Sequence, residues 1–193
     1  MSPVQADPVP RQGNLLSAAL GRAMLKLLRW RIEGDLPRVP RCILIVAPHT
    51  SNWDFVVALG AKLALRLRAS WLGKASLFVF PFSGLLRFIG GIPVDRADAA
   101  GVVDSAIAGL QREPQVFLAL APEGTRSRVA RWKTGFHRIA RGAGVPICAV
   151  RLDYSRRVLG LGPILQTTED VESDLTTVQG WFSATMARQP EKY

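Results

Sequence analysis

The sequence predicts a single α/β domain, and three observations carry that reading. A chain of 193 residues that is 48% apolar and 21% charged suffices for one compact core and is too apolar for extended disorder. From Arg41 onward, short apolar runs alternate with stretches of helical periodicity, the pattern of α/β proteins. The two cysteines, Cys42 and Cys148, lie inside two of those runs. That excludes a disulfide framework or a four-cysteine metal site and suits buried free thiols in a reducing, cytosolic compartment.

Residues 1–13 carry Pro3, Pro8, Pro10 and Gly13 with little apolar content and are expected as a mobile tail. They lack the basic start and continuous apolar stretch of a signal peptide. Residues 14–31 read as an amphipathic helix, with Leu16, Leu20, Ala23, Met24 and Leu27 on one face and Arg22, Lys26 and Arg29 on the other; Leu15 breaks the pattern. A spanning helix is disfavoured because each basic residue near the bilayer centre costs about 2.5–3.5 kcal/mol. Two readings fit it equally: an interfacial helix with its apolar face in the acyl boundary, or a surface helix packed on its own domain. Strands are then expected at 42–47, 70–73, 91–94, 116–121, 146–152 and 159–162, and helices at 53–68, 81–89, 99–112, 135–142 and 169–187. The last helix opens on Glu169 and Asp170, with Glu172 and Asp174 close behind, acids suited to the positive end of a helix dipole.

Charge is unevenly placed. The chain carries 25 Lys and Arg against 15 Asp and Glu, +10 overall, and residues 1–157 hold 23 of the basic groups but 10 of the acidic ones. Such an excess attracts anions: nucleic acid, phosphorylated metabolites, anionic lipid or an acidic carrier protein. Nucleic acid is disfavoured, because no helix-turn-helix, aromatic-studded sheet motif or lysine run is present.

Three segments place polar residues directly after apolar strands. In Pro48-His49-Thr50-Ser51-Asn52-Trp53-Asp54, the histidine and the carboxylate are five apart. On one helix they would point about 140° apart, so they meet only if the chain turns between them. Thr50-Ser51-Asn52 supplies turn and cap residues. A carboxylate there can hold one imidazole nitrogen and leave the other free to take a proton; the competing reading is a capping box, Ser51-x-x-Asp54, beside an exposed histidine. Pro122-Glu123-Gly124-Thr125-Arg126-Ser127 combines a glycine that lets backbone approach a ligand with a hydroxyl and a guanidinium fork matched to phosphate. In Gly91-Ile92-Pro93-Val94-Asp95-Arg96, the arginine ends a short strand and either binds an anion or pairs with Asp95 or Asp98. Ligand crevices in open α/β sheets lie beyond the carboxyl ends of the strands. The combination suggests proton abstraction beside an anion-binding pocket.

These segments resemble the four ordered motifs of the glycerolphosphate acyltransferase superfamily, in particular bacterial 1-acyl-glycerol-3-phosphate acyltransferases. H-x4-D matches His49 to Asp54; a glycine-led strand ending in arginine matches Gly91 to Arg96; P-E-G-T-R-S matches Pro122 to Ser127; and V-P-I matches Val145-Pro146-Ile147, with Lys133-Thr134-Gly135 following the third motif as K-x-G does. Pro48 and Ala121 depart from the Asn and Phe of many members. The resemblance covers residues 41–152 and implies one domain over 14–193 with a mixed, mostly parallel sheet flanked by helices.

It also implies an O-acyltransferase. His49 takes the proton of an acceptor hydroxyl, Asp54 orients the imidazole, and the oxygen attacks the thioester of acyl-CoA or acyl-carrier protein. Arg96 and Arg126 bind the acceptor phosphate, Glu123, Gly124 and Thr125 shape that pocket, and Lys74 is a further phosphate candidate. No cofactor beyond the thioester co-substrate and no metal is expected. The expected partners are the thioester, a lysolipid such as 1-acyl-glycerol-3-phosphate and an anionic membrane surface, with no nucleic acid. The expected location is cytoplasmic, peripheral on the inner face of the cell membrane. Another acceptor such as lyso-ornithine lipid, or a non-catalytic anion- or membrane-binding module, remains as an alternative. His137 is expected on a helix surface and Arg141 as an exposed helix-end residue.

Overall fold

The computed structural model describes residues 7–95 and 97–193. Its strands are β1 (Arg31–Glu33), β2 (Arg41–Ala47), β3 (Ala69–Lys74), β4 (Gly91–Val94), β5 (Val116–Leu120), β6 (Ile147–Asp153) and β7 (Val158–Leu165), and its helices α1 (Leu15–Leu27), α2 (Asn52–Ala64), α3 (Ser83–Phe88), α4 (Ala99–Arg112), α5 (Gly135–Ala143) and α6 (Val171–Gln179). The seven described strands form one sheet in the order β1-β7-β6-β2-β5-β3-β4. All neighbours pair in parallel except β6 and β7, which are antiparallel. The mixed, mostly parallel sheet expected from the sequence is therefore present, with β1 as an added edge strand. Its three residues form no apolar run, and the helix expected over 14–31 ran into the first of them, Arg31.

Strand β2 sits at the centre because every position from Cys42 to Ala47 is apolar, as a strand covered on both faces requires. Cys42 and Leu44 enter a core with Leu25, Trp30, Val57 and Ala61; Ile43, Ile45 and Ala47 enter a second core with Val103, Phe136, Ile139 and Val178. Helices α1 and α2 thus cover one face and α4, α5 and α6 the other. Both cysteines are buried free thiols, and burial raises Cys148 to about 11.

Several boundaries move. Helix α1 begins at the expected place, where Asn14 and Ser17 form a capping box, but it packs on α2 through Ala18, Gly21 and Leu25. A Cβ on Gly21 would lie 2.3 Å from the Ala64 nitrogen, so the small residue permits the approach. Leu16, Leu20 and Leu27, read as the apolar face, are exposed instead. Of the tail expected over 1–13, residues 1–6 lie outside the described residues and 7–13 are tied down: Val9 is buried, and the Gln12 amide donates to the Arg66 carbonyl at 2.8 Å. Helix α6 spans nine residues instead of the expected 169–187; Gly180 follows it, and Phe182 turns into the core.

Candidate active site

The chain turns after β2 because Ser51 caps α2: its hydroxyl accepts from the Trp53 amide at 3.2 Å, and Asp54 Oδ2 accepts from the Ser51 amide at 2.8 Å. The capping box is therefore real. The same carboxylate oxygen also accepts from the Thr50 amide at 2.8 Å and lies 3.2 Å from His49 Nδ1. The two readings of this segment hold together, since the cap is what aims the carboxylate at the imidazole.

Asp54 is 1% exposed, and a carboxylate so buried needs donors on both oxygens. Tyr154, the first residue after β6, supplies the other by donating its hydroxyl to Oδ1 at 2.7 Å. Burial first, and then the hydrogen bond to Asp54, holds the Tyr154 phenol protonated well above its ordinary range. Two backbone amides already fill Oδ2 as an acceptor, so the hydrogen on the His49 side belongs on Nδ1, leaving Nε2 as acceptor. The Arg126 Nε–H donates toward that Nε2 at 3.4 Å, consistent with this tautomer.

The third motif lies under and beside this pair. Glu123, expected in the phosphate pocket, is 4% exposed and its Oε1 accepts from the His49 amide at 3.0 Å, which ties the β5 loop to the β2 loop. Oε2 has no partner within the described residues, and burial pushes the carboxyl pKa up. Gly124 adopts φ +66°, where a Cβ would press on the Lys133 side chain at 3.0 Å. Thr125 and Arg126 continue outward to the surface.

Arg96 lies outside the described residues, while its flanks Asp95 and Asp98 line a cavity of about 590 Å³ between α4 and strands β3 and β4. Leu72, Val94, Val102, Ala106 and Leu118 give that cavity apolar walls; His49 and Asp54 are not among its lining. Lys74 ends β3 with an exposed side chain, and β3 is two strands from β2. Arg141 pairs with Glu169 at 2.9 Å on the exposed end of α5. His137 corrects the sequence reading: it is 1% exposed and bonds Asp174 at 2.8 Å, because α6 folds back over α5 and covers it.

Sequence reasoning missed Tyr154 and the segment behind it, where Arg188 lies over the rings of Trp53 and Tyr154 at 5.2 and 5.9 Å and the Gln189 amide donates to Thr50 Oγ1 at 3.3 Å. The strand-end criterion that found His49 also applies to Tyr154, which follows an apolar strand in the same way.

An acyltransferase family model matches residues 30–153, well over half of the chain. The chain belongs to the acyltransferase family. The match spans His49, Asp54, the 122–127 loop and Val145-Pro146-Ile147, and stops one residue short of Tyr154. This acyltransferase is also similar in fold to the crystal structure of the 1-acyl-sn-glycerophosphate (LPA) acyltransferase PlsC from Thermotoga maritima, with a TM-score of 0.56 at 18% identity over 84% of this chain and 76% of that one. No curated protein matches it. No helix among the described residues of the acyltransferase is long and apolar enough to cross a membrane.

Proposed function

We propose that this acyltransferase moves a fatty acyl group from acyl-CoA or acyl-carrier protein to a hydroxyl of a lysophospholipid such as 1-acyl-glycerol-3-phosphate, working on the inner face of the cell membrane. The observation that carries the reading is His49 held by Asp54 through Nδ1, with Nε2 turned outward to the Arg126 guanidinium. Nε2 takes the acceptor's hydroxyl proton as the oxygen bonds to the thioester carbonyl carbon, and Asp54 stabilises the imidazolium that results. Collapse of the tetrahedral intermediate breaks the C–S bond, and the departing thiolate takes the proton from Nε2. The acyl group passes directly to the acceptor, so Cys42 and Cys148 have no part in it, as their burial suits.

Arg126, exposed and already reaching toward His49, would swing onto the acceptor phosphate and clear Nε2 for the hydroxyl. Arg96 is assigned the same phosphate from its motif position, with Lys74 a lesser contributor. Glu123 would act by fixing the His49 backbone, and Gly124 and Thr125 by shaping the loop that carries Arg126. The basic side of α1 favours an anionic leaflet, each basic group near it contributing about 1 kcal/mol.

The test is direct. Purified protein with labelled acyl-CoA or acyl-carrier protein and a panel of lysolipids should yield a diacyl product with phosphate-bearing acceptors. Turnover confined to phosphate-free lysolipids would remove the acceptor assignment, and no turnover with any acceptor would remove the activity.

A further inference from the structure

The acyltransferase exposes a run of apolar side chains that its fold does not explain. Between β3 and β4, Leu77, Val79, Phe80, Phe82, Leu85 and Phe88 all face solvent, Phe80 at 95% and Phe88 at 82% exposure. One exposed leucine is ordinary, but six large apolar residues within a dozen mark a contact surface. The segment is firmly seated. Phe78 turns inward to stack on Trp71 at 5.8 Å, Arg87 lies over the Phe78 ring at 5.7 Å, and Lys62 of α2 donates to the Ile89 carbonyl.

A second such surface is the outer side of α1, with Leu16, Leu20 and Leu27. The topology brings the two together. Right-handed crossovers put α3 on the same face of the sheet as α2, where α1 also packs. Gly21 lies against Ala64 and Gly60 against Leu25, so α1 runs antiparallel to α2, with Leu27 level with the middle of α2 and Leu16 and Leu20 toward its C-terminal end. The start of α2 marks the end of the sheet where β2 delivers His49, and residues 75–82 leave β3 at that end. Half-exposed Trp53, in the first turn of α2, lies on the helix between them. Basic residues flank both surfaces: Arg22, Lys26 and Arg29 on and just after α1, and Lys74 and Arg87 on the second segment.

We infer that residues 77–88 insert their exposed aromatic and aliphatic side chains into the acyl boundary of an anionic bilayer, forming with the outer face of α1 a two-point contact that sets the helical face of α1, α2 and α3 against the lipid, with residues 77–82 at its His49 end. Two separate apolar surfaces with basic flanks fit a broad anionic plane without needing the shape complementarity of a protein partner. The choice of a bilayer as occupant rests on the lysolipid reading, and the experiment separates the two.

Binding is measured by flotation with vesicles of equal phosphatidylglycerol and phosphatidylcholine at high salt, where the electrostatic part is screened. Phe80→Ser with Phe82→Ser should weaken partitioning at least about tenfold, without changing turnover of a short-chain, water-soluble lysolipid. As a second readout, Phe80→Cys takes a thiol-directed fluorophore selectively, because Cys42 and Cys148 are fully buried. Its emission should shift to the blue on vesicles and be quenched by lipids brominated in the acyl chain. Undiminished vesicle binding by the double variant, or a label that brominated lipid does not quench, overturns the inference. So does a wild-type dimer that the double variant loses while still binding vesicles, which would make the surface a self-interface. Vesicle binding through Phe80 in a protein that acylates no lysolipid would sustain the inference and overturn the proposed activity instead.

Discussion

The molecule holds two histidine–aspartate pairs built to one plan. In each, one carboxylate oxygen takes the imidazole together with backbone amide, and the other takes a hydroxyl. Asp54 receives His49 and the Thr50 and Ser51 amides on Oδ2 and the Tyr154 hydroxyl on Oδ1. Asp174 receives His137 and the Thr168 amide on Oδ2 and the Thr168 hydroxyl on Oδ1. The difference is access. His137 spends Nε2 on its aspartate and is sealed between α5 and α6, whereas His49 turns Nδ1 inward and leaves Nε2 at a side chain 22% exposed. A histidine–carboxylate pair is thus a fastener unless one nitrogen faces a space that a substrate can enter.

Breaking both pairs at the histidine should separate the roles most sharply. His49→Ala is expected to lower acyl transfer by roughly 10²–10⁴-fold, the usual worth of general-base help, with little change in melting temperature. His137→Ala should destabilise the fold by about 3 kcal/mol, because it strands a buried carboxylate, while the folded fraction keeps its turnover. Thermal melts and steady-state kinetics on both variants decide it, and reversed outcomes would exchange the two roles.

The aspartates sharpen this further. Asp54→Asn should cost up to roughly 10⁴-fold in kcat, since an amide cannot stabilise an imidazolium. For Asp174, burial works against the charged form, but the Thr168 amide and the hydrogen bond from His137 outweigh it and hold the carboxyl below its ordinary 3.8. A depressed carboxyl adds stability that is present above 3.8 and lost as pH falls through the lower folded-state value. Acid unfolding of the wild type should show that loss, and Asp174→Asn should not.

How the two pairs differ in legibility follows from locality. His49 and Asp54 are five residues apart, so strand, turn and cap chemistry place them without any knowledge of tertiary packing. His137 and Asp174 are 37 apart and meet only when α6 folds over α5; within its own helix, His137 beside Arg138 reads as surface. The central strands were legible as continuous apolar runs. Three-residue β1 was not, because it owes its place to pairing with β7 rather than to its own side chains. Helix α1 was found by periodicity, but the face that packs on the domain is not the one its leucines mark. The rule counts leucines, whereas the contact with α2 needed small residues at Ala18 and Gly21. Tyr154 reaches Asp54 across 100 residues and left no local sign of its partner.

A smaller effect is expected from the arginine that stands at the open pair and has no counterpart among the described residues at the closed one. Arg126→Lys keeps the charge but loses the planar fork, so the acceptor's KM should rise or kcat fall by roughly 10–100-fold, the worth of a charge-assisted hydrogen bond. Thioester KM should stay as it was. Varying donor and acceptor separately tests this, and a defect confined to the donor would move the arginine to the thioester side.

The smallest expected effect compares the two hydroxyls. Tyr154→Phe removes one donor from Asp54 Oδ1, but Thr50, Ser51 and His49 remain on Oδ2, so the loss should be about 1 kcal/mol, or roughly fivefold in kcat. A carboxylate relieved of a donor attracts the imidazolium proton more strongly, so the acid limb of the pH–rate profile should move to higher pH. Because Tyr154 stays protonated well above its ordinary range, it contributes no alkaline limb of its own. Thr168→Val makes the matching change at the closed pair, leaving the Thr168 amide on Asp174. It should lower stability by about 1 kcal/mol and leave the pH–rate profile where it was. Tyr154 acts on His49 only through Asp54, so a drop in kcat for Tyr154→Phe with an unmoved acid limb would reduce it to packing, as the T-shaped contact with Trp30 at 4.8 Å already allows.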